Sequence, residues 1–167
     1  RTQLLSVYKI TAETGMKLLA IVLSKHLGNT MRVAEAMAEA APLTIVPLKD
    51  AGNYNLTQFD AVGFGSGINA GSHEPELINY VENLKEAPPR SFVFSTSAPG
   101  NHERYNSKLI KALERRGSKV VGSFGCKGLC KFFVFRLFGG INKGQPDENA
   151  LAEARKFIEG VTDALEK

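Results

Sequence analysis

Two kinds of apolar pattern alternate along this chain. The first is the short continuous run, and Leu18-Leu19-Ala20-Ile21-Val22-Leu23 is the clearest. A run of that length with β-branched members reads as a strand buried on both faces. The second is recurrence at helical spacing: Met31, Val33, Ala34, Met37, Ala38 and Ala41 fall on one face of a helix. Further strands are predicted at Leu43 to Leu48, Phe59 to Gly65, Ser91 to Ser95 and Lys119 to Phe124. Pro47 suits only an edge or a strand end. Lys49 to Gln58 is a polar connection. Leu77, Ile78, Val81 and Leu84 mark a helix opened by Glu74-Pro75-Glu76, with proline and acids in the first turn. Tyr105, Leu109, Ala112 and Leu113 mark another, stopped by Gly117. Leu151, Ala154, Ile158, Val161 and Leu165 mark the last, begun at Pro146-Asp147.

Strands alternating with helices imply right-handed crossovers and a parallel sheet covered on both faces. The predicted fold is α/β, a three-layer sandwich around a five-stranded parallel sheet in the order 2-1-3-4-5. It forms one domain over residues 16–167, without internal repeats. Ligands of such sheets bind outside the carboxyl ends of the strands, here in the crevice between the first and third.

The first strand leads into Ser24, Lys25, His26, Leu27, Gly28, Asn29 and Thr30. The following helix aims free backbone N–H groups and the positive end of its dipole into that loop, which suits an anion, most simply phosphate. Gly28 allows close approach to the backbone, and Asn29 or Thr30 can cap the helix. The loop is neither a Walker A sequence nor a GxGxxG fingerprint. An ordinary capped turn accounts for these residues equally well.

Two further loops bear on that choice: Ser66-Gly67-Ile68-Asn69-Ala70-Gly71 and Ser95-Thr96-Ser97-Ala98-Pro99-Gly100. With SKHLGNT, GSGINAG and STSAPG in this order, the chain resembles the flavodoxin family from Met16 to its C-terminus. The resemblance implies that flavin mononucleotide, FMN, is held with its phosphate at Ser24, Lys25, His26, Gly28, Asn29 and Thr30. Ser66, Gly67, Ile68 and Asn69 would then run along one edge of the ring. Ser95, Thr96, Ser97 and Gly100 would meet its pyrimidine end. The family's phosphate loop usually reads S/T-x-T-G-N-T; here Lys25 and Leu27 stand where hydroxyls usually do, and Ser24 is one residue early. The peptide that flips in flavodoxins has its nearest counterpart at Asn69, which tolerates positive φ. The chain has no Trp, and neither ring loop carries Tyr or Phe at its tip. Tyr105 is left unassigned.

The resemblance implies an FMN-binding electron-transfer protein. The alternatives are an FMN-dependent oxidoreductase of the same fold, of quinone reductase or protoporphyrinogen oxidase type, and a module of this fold without cofactor. Flavodoxins are commonly acidic, whereas this chain carries a net charge of +4. From Arg104 to Lys143 the only acid is Glu114, so the expected redox partner is acidic. The bases are interspersed with no nucleic-acid reading motif, and no nucleic-acid partner is expected.

Cys126 and Cys130 form no disulfide framework and fit a cytoplasmic protein. No apolar run is long enough to span a membrane. His26, His73 and His102 fall in or beside the three loops. They read as unrelated loop residues, as one group titrating near neutrality beside the cofactor, or as a metal cluster. The first is favoured over the metal cluster, the second is the better reading of the three, and no metal is expected. The connection from Cys126 to Pro146 is crowded with Phe132, Phe133, Phe135 and Phe138, with Lys131 and Arg136 interleaved. It reads as a folded excursion over the sheet edge or as a docking patch. Residues 1–15 read as an extension or expression tag outside the core.

Overall fold

The computed structural model describes residues 15–25, 27–99, 102–129 and 141–167. Most of the N-terminal extension, His26, Gly100, Cys130 and the aromatic part of the long connection lie outside the described residues.

Strand β1, Leu18–Leu23, is followed by helix α1, Asn29–Ala40, and strand β2, Leu43–Pro47. Two short 3-10 turns, Leu48–Asn53 and Leu56–Gln58, make the polar connection to β3, Ala61–Asn69. Asparagines and glycine make this stretch too polar to cover the sheet with a full helix. A two-residue strand β4, Ser72–His73, turns back on β3 in antiparallel pairing. Then come α2, Pro75–Glu82; β5, Arg90–Ser97; α3, His102–Arg115; β6, Lys119–Lys127; and α4, Glu148–Leu165.

The five long strands are parallel in the order β2-β1-β3-β5-β6. Counting long strands alone, this is the expected 2-1-3-4-5 order; β4 is the addition. Pro47 ends the edge strand β2, where its missing N–H breaks no ladder.

The continuous run of β1 serves both faces of the sheet. Leu18, Ala20 and Val22 join a core with Val33 and Met37 of α1 and Ala154, Ile158 and Val161 of α4. Leu19 and Ile21 join the opposite core with Leu77, Ile78 and Val81 of α2 and Leu109 and Leu113 of α3. A fully buried side chain of this size contributes about 1.5–3 kcal/mol, so β1 alone anchors both layers.

Glycines in β3 make room for aromatics. A Cβ at Gly63 would lie 2.3 Å from the Phe92 ring, and one at Gly65 would lie 2.2 Å from the Phe94 ring. Both phenylalanines are fully buried, and each is the register partner of its glycine. The glycines therefore form a floor for the stacked Phe92 and Phe94.

Three strands outrun their apolar runs. β3 continues to Asn69, β5 to Ser97 and β6 to Lys127, beyond the expected ends at Gly65, Ser95 and Phe124. Small Gly and Ser residues keep the backbone ladder going after hydrophobicity stops. Consequently Ser66 to Asn69 and Ser95 to Ser97 are strand, where the sequence suggested loop.

Candidate cofactor-binding site

The turns after β1, β3 and β5 emerge from three adjacent strands at their carboxyl ends. In the β1–α1 turn, Leu27 and Gly28 both take left-handed conformations, with φ of +61° and +68°. Gly28 is the N-cap of α1, and no side chain among the described residues caps that helix. Its first-turn N–H groups therefore point outward without a capping side chain. A Cβ at Gly28 would meet nothing within 4 Å among the described residues, so these leave the space beside it open. What glycine supplies here is its φ. Leu27 adopts a similar φ without that freedom and is nearly half exposed, an exposed apolar residue in a strained backbone position. Close by in the chain, the Ser24 hydroxyl is buried with no partner among the described residues.

Other side chains of this turn are already engaged. The Asn29 amide donates to the Leu129 carbonyl at 2.9 Å, fastening α1 to the segment after β6. The Lys25 ammonium pairs with Glu74 at 3.1 Å and Glu76 at 2.5 Å, at the start of α2. These carboxylates push the Lys25 pKa up, Glu76 first, and Lys25 holds the Glu76 carboxyl below its ordinary value. Thr30 Oγ1 lies 2.9 Å from Thr96 Oγ1, and both residues are buried. A pair of hydroxyls sharing one hydrogen bond keeps a second hydrogen for another acceptor.

The second turn is a two-residue hairpin. Asn69 pairs with Ser72, and Ala70 and Gly71 bridge them with φ of +49° and +80°. Positive φ at both central positions is the type I′ pattern. The positive-φ residue is thus Ala70 and not Asn69, which ends β3. Tyr105 reaches the hairpin from α3: its Cε1 lies 3.9 Å from where a Gly71 Cβ would stand. An aromatic ring does border this loop, brought by folding from a distant helix.

Ser66, expected at the ring edge, is completely buried. Its Oγ lies 2.7 Å from His73 Nδ1 and accepts the Glu74 N–H at 3.2 Å. His73 Nε2 lies 2.9 Å from Asn106 Oδ1 on α3. Asn106 Nδ2 donates to the Phe124 carbonyl at 3.0 Å and to Ser123 Oγ at 2.9 Å. This relay was not legible in sequence, since its members are dispersed from residue 66 to residue 124. Burial lowers the His73 pKa to about 4, with the Asn106 hydrogen bond opposing it. His73 is therefore neutral at physiological pH and does not titrate near neutrality. Among the described residues, no group of three or more His, Cys, Asp or Glu side chains could hold a metal ion.

The third segment is pinned from behind. Asn142 Nδ2 donates to the Ala98 carbonyl at 2.9 Å and to the Gly128 carbonyl at 3.2 Å, while Gly128 N–H donates to the Ser97 carbonyl at 3.0 Å. The Ser95 hydroxyl is buried without a partner among the described residues. Cys126 is a buried free thiol whose pKa burial pushes up to about 12, so it is inert in exchange chemistry. No helix among the described residues is long and apolar enough to cross a membrane.

Among the described residues, an uncapped helix N-terminus, open space at Gly28 and a buried Ser24 hydroxyl without a partner together fit a phosphate group. Residues 20–160 match the flavodoxin domain family. A protein of Methanocaldococcus jannaschii with no described function is 29% identical over 147 residues, covering 87% of this chain and 98% of that one. A flavodoxin from the domain Archaea superposes with a TM-score of 0.66 at 15% identity, covering 91% of this chain and 100% of that one. A flavoprotein from Lactobacillus acidophilus NCFM, solved in complex with FMN, gives 0.50 at 17% identity over 66% of this chain and 93% of that one. The two structures speak for the fold, and the family match spans most of the sequence: this chain belongs to the flavodoxin family.

Proposed function

We propose that this protein is an FMN-binding electron carrier. The observation that carries the reading is the β1–α1 turn, where, among the described residues, the start of α1 has no capping side chain and the Ser24 hydroxyl no partner, which leaves donors for one anionic group. The backbone N–H groups of Asn29 and Thr30, Ser24 Oγ and the spare hydrogen of the Thr30–Thr96 pair would hold the phosphate. Lys25 and the Asn29 amide, engaged elsewhere, would act on the shape of the turn. Gly67, Ile68 and Asn69 at the end of β3, with Ser97 at the end of β5 and Gly100 later in the chain, would border the ring.

FMN, when bound, supplies the electron-transfer chemistry itself, so no side chain need act as acid, base or nucleophile. The chain's task is to bind, orient and exclude water.

A row of bases supports the expected acidic partner. Arg104, Lys108, Lys111 and Arg115 recur along α3 at steps of four and three residues, and all are exposed. That spacing makes one row on a helix face. α3 also begins directly after the third loop, so the row starts beside the proposed redox centre. The buried Cys126 thiol supports a reducing compartment, the cytoplasm.

The test is anaerobic stopped-flow transfer from the reduced, FMN-loaded protein to an acidic acceptor protein, beside steady-state assays with NAD(P)H and a quinone. Transfer that slows with salt, without turnover of the small substrates, supports a carrier. Sustained turnover of either small substrate would make it an oxidoreductase.

A further inference from the structure

The Ser66 hydroxyl has one hydrogen and two acceptors at the same distance, His73 Nδ1 and the Gly67 carbonyl, both at 2.7 Å. Which acceptor receives it is decided further along the relay. The Phe124 carbonyl can only accept, so the Asn106 amide must turn its nitrogen there and its oxygen toward His73. His73 Nε2 must then carry a hydrogen. In a neutral imidazole Nδ1 is left as an acceptor, and it draws the Ser66 hydrogen away from Gly67. A backbone carbonyl on β6 thus fixes, through two side chains, the hydrogen-bonding state of a peptide at the end of β3.

We propose that His73 and Asn106 are positioning residues for the second crevice segment: they hold the Ser66 hydrogen on the imidazole and leave the Gly67 carbonyl without it. This deepens the FMN reading and rests on it, because Gly67 is one of the residues assigned to the ring edge. Neither His73 nor Asn106 need touch the cofactor. The groups facing His73 are uncharged: Ser66 from β3, Asn106 from α3 and, beyond it, Ser123 from β6. Glu74, the next residue in the chain, has its carboxylate on Lys25. The imidazole accordingly stays neutral and the relay holds one direction throughout the physiological range.

Two substitutions separate positioning from plain support. In His73→Asn, the Oδ1 atom stands near the Nδ1 position, so an acceptor for Ser66 remains while the link to Asn106 is lost. In His73→Gln, the amide reaches the Nε2 position, so the link to Asn106 remains while Ser66 turns to Gly67. The first readout needs no cofactor: the carbonyl ¹³C shift of Gly67 in the apoprotein moves in His73→Gln and stays near wild type in His73→Asn. The second is FMN affinity by fluorescence quenching, which falls about threefold to tenfold in His73→Gln only, as expected for one net hydrogen bond. Equal Gly67 shifts in the two variants, or affinities that simply follow their thermal stabilities, would overturn the proposal. A wild-type protein that takes no FMN would sink the parent reading, and the Gly67 shift would still decide the relay.

Discussion

Thr30 Oγ1 and Thr96 Oγ1 meet at 2.9 Å in the protein interior, joining the first turn of α1 to the end of β5. The two residues are far apart in sequence and border two of the three turns around the crevice. Their bond means that the proposed phosphate turn is not independent of the segment beyond it.

Thr30→Val removes one hydroxyl and leaves Thr96 buried and unpartnered, which costs about 1–3 kcal/mol. The double variant Thr30→Val/Thr96→Val removes both, and its stability returns close to wild type. FMN affinity falls in both proteins, because neither retains the spare hydrogen of the pair. Urea denaturation and FMN titration on the three proteins check this. Recovery of affinity in the double variant would place the phosphate elsewhere.

The hairpin turn carries a correctable strain. Ala70 sits at φ +49° before Gly71 at +80°, where type I′ turns favour Asn-Gly. Ala70→Asn is expected to stabilise the protein by about 0.5–1 kcal/mol, read as a higher Tm. An unchanged or lower Tm would argue that the alanine backbone is not strained there.

His73 predicts a pH dependence with a definite sign. Burial lowers its folded pKa to about 4, below the 6.5 of a free imidazole. The unfolded chain therefore binds the proton more tightly. The contribution is fully present above pH 6.5 and is lost as the pH falls from 6.5 to about 4. The loss amounts to roughly 3 kcal/mol. Carboxylates also respond to acid, so the measurement is the stability difference between wild type and His73→Asn across this range. The difference shrinks with acid if burial holds the imidazole neutral; a constant difference would mean that folding does not lower the His73 pKa.

The layers and strand order were legible because periodicity reports burial, and burial fixes which face of each element is covered. Strand ends were less legible: Ser66 to Asn69 carries one apolar residue, Ile68, and Ser95 to Ser97 none, yet the neighbouring backbones extend the ladder through them. In the candidate site, the candidacy of Gly28 was legible from the strand-to-helix pattern and that of Ser24 from the family resemblance. The engagement of Lys25 with Glu74 and Glu76, of Asn29 with Leu129 and of Ser66 with His73 was not. These are partnerships between distant segments, and no local pattern encodes them. The same reason hid Tyr105 beside Gly71.

The central claim is that the start of α1, with Ser24 and Gly28, receives the phosphate of FMN. Riboflavin carries the same ring without that phosphate. Titrating the apoprotein with each, and following the quenching of flavin fluorescence, isolates the phosphate contribution. FMN is predicted to bind at least about tenfold more tightly than riboflavin, since hydrogen bonds to a charged group are worth about 1.5–3 kcal/mol. Equal affinities for the two flavins, or no quenching by either, would contradict the account.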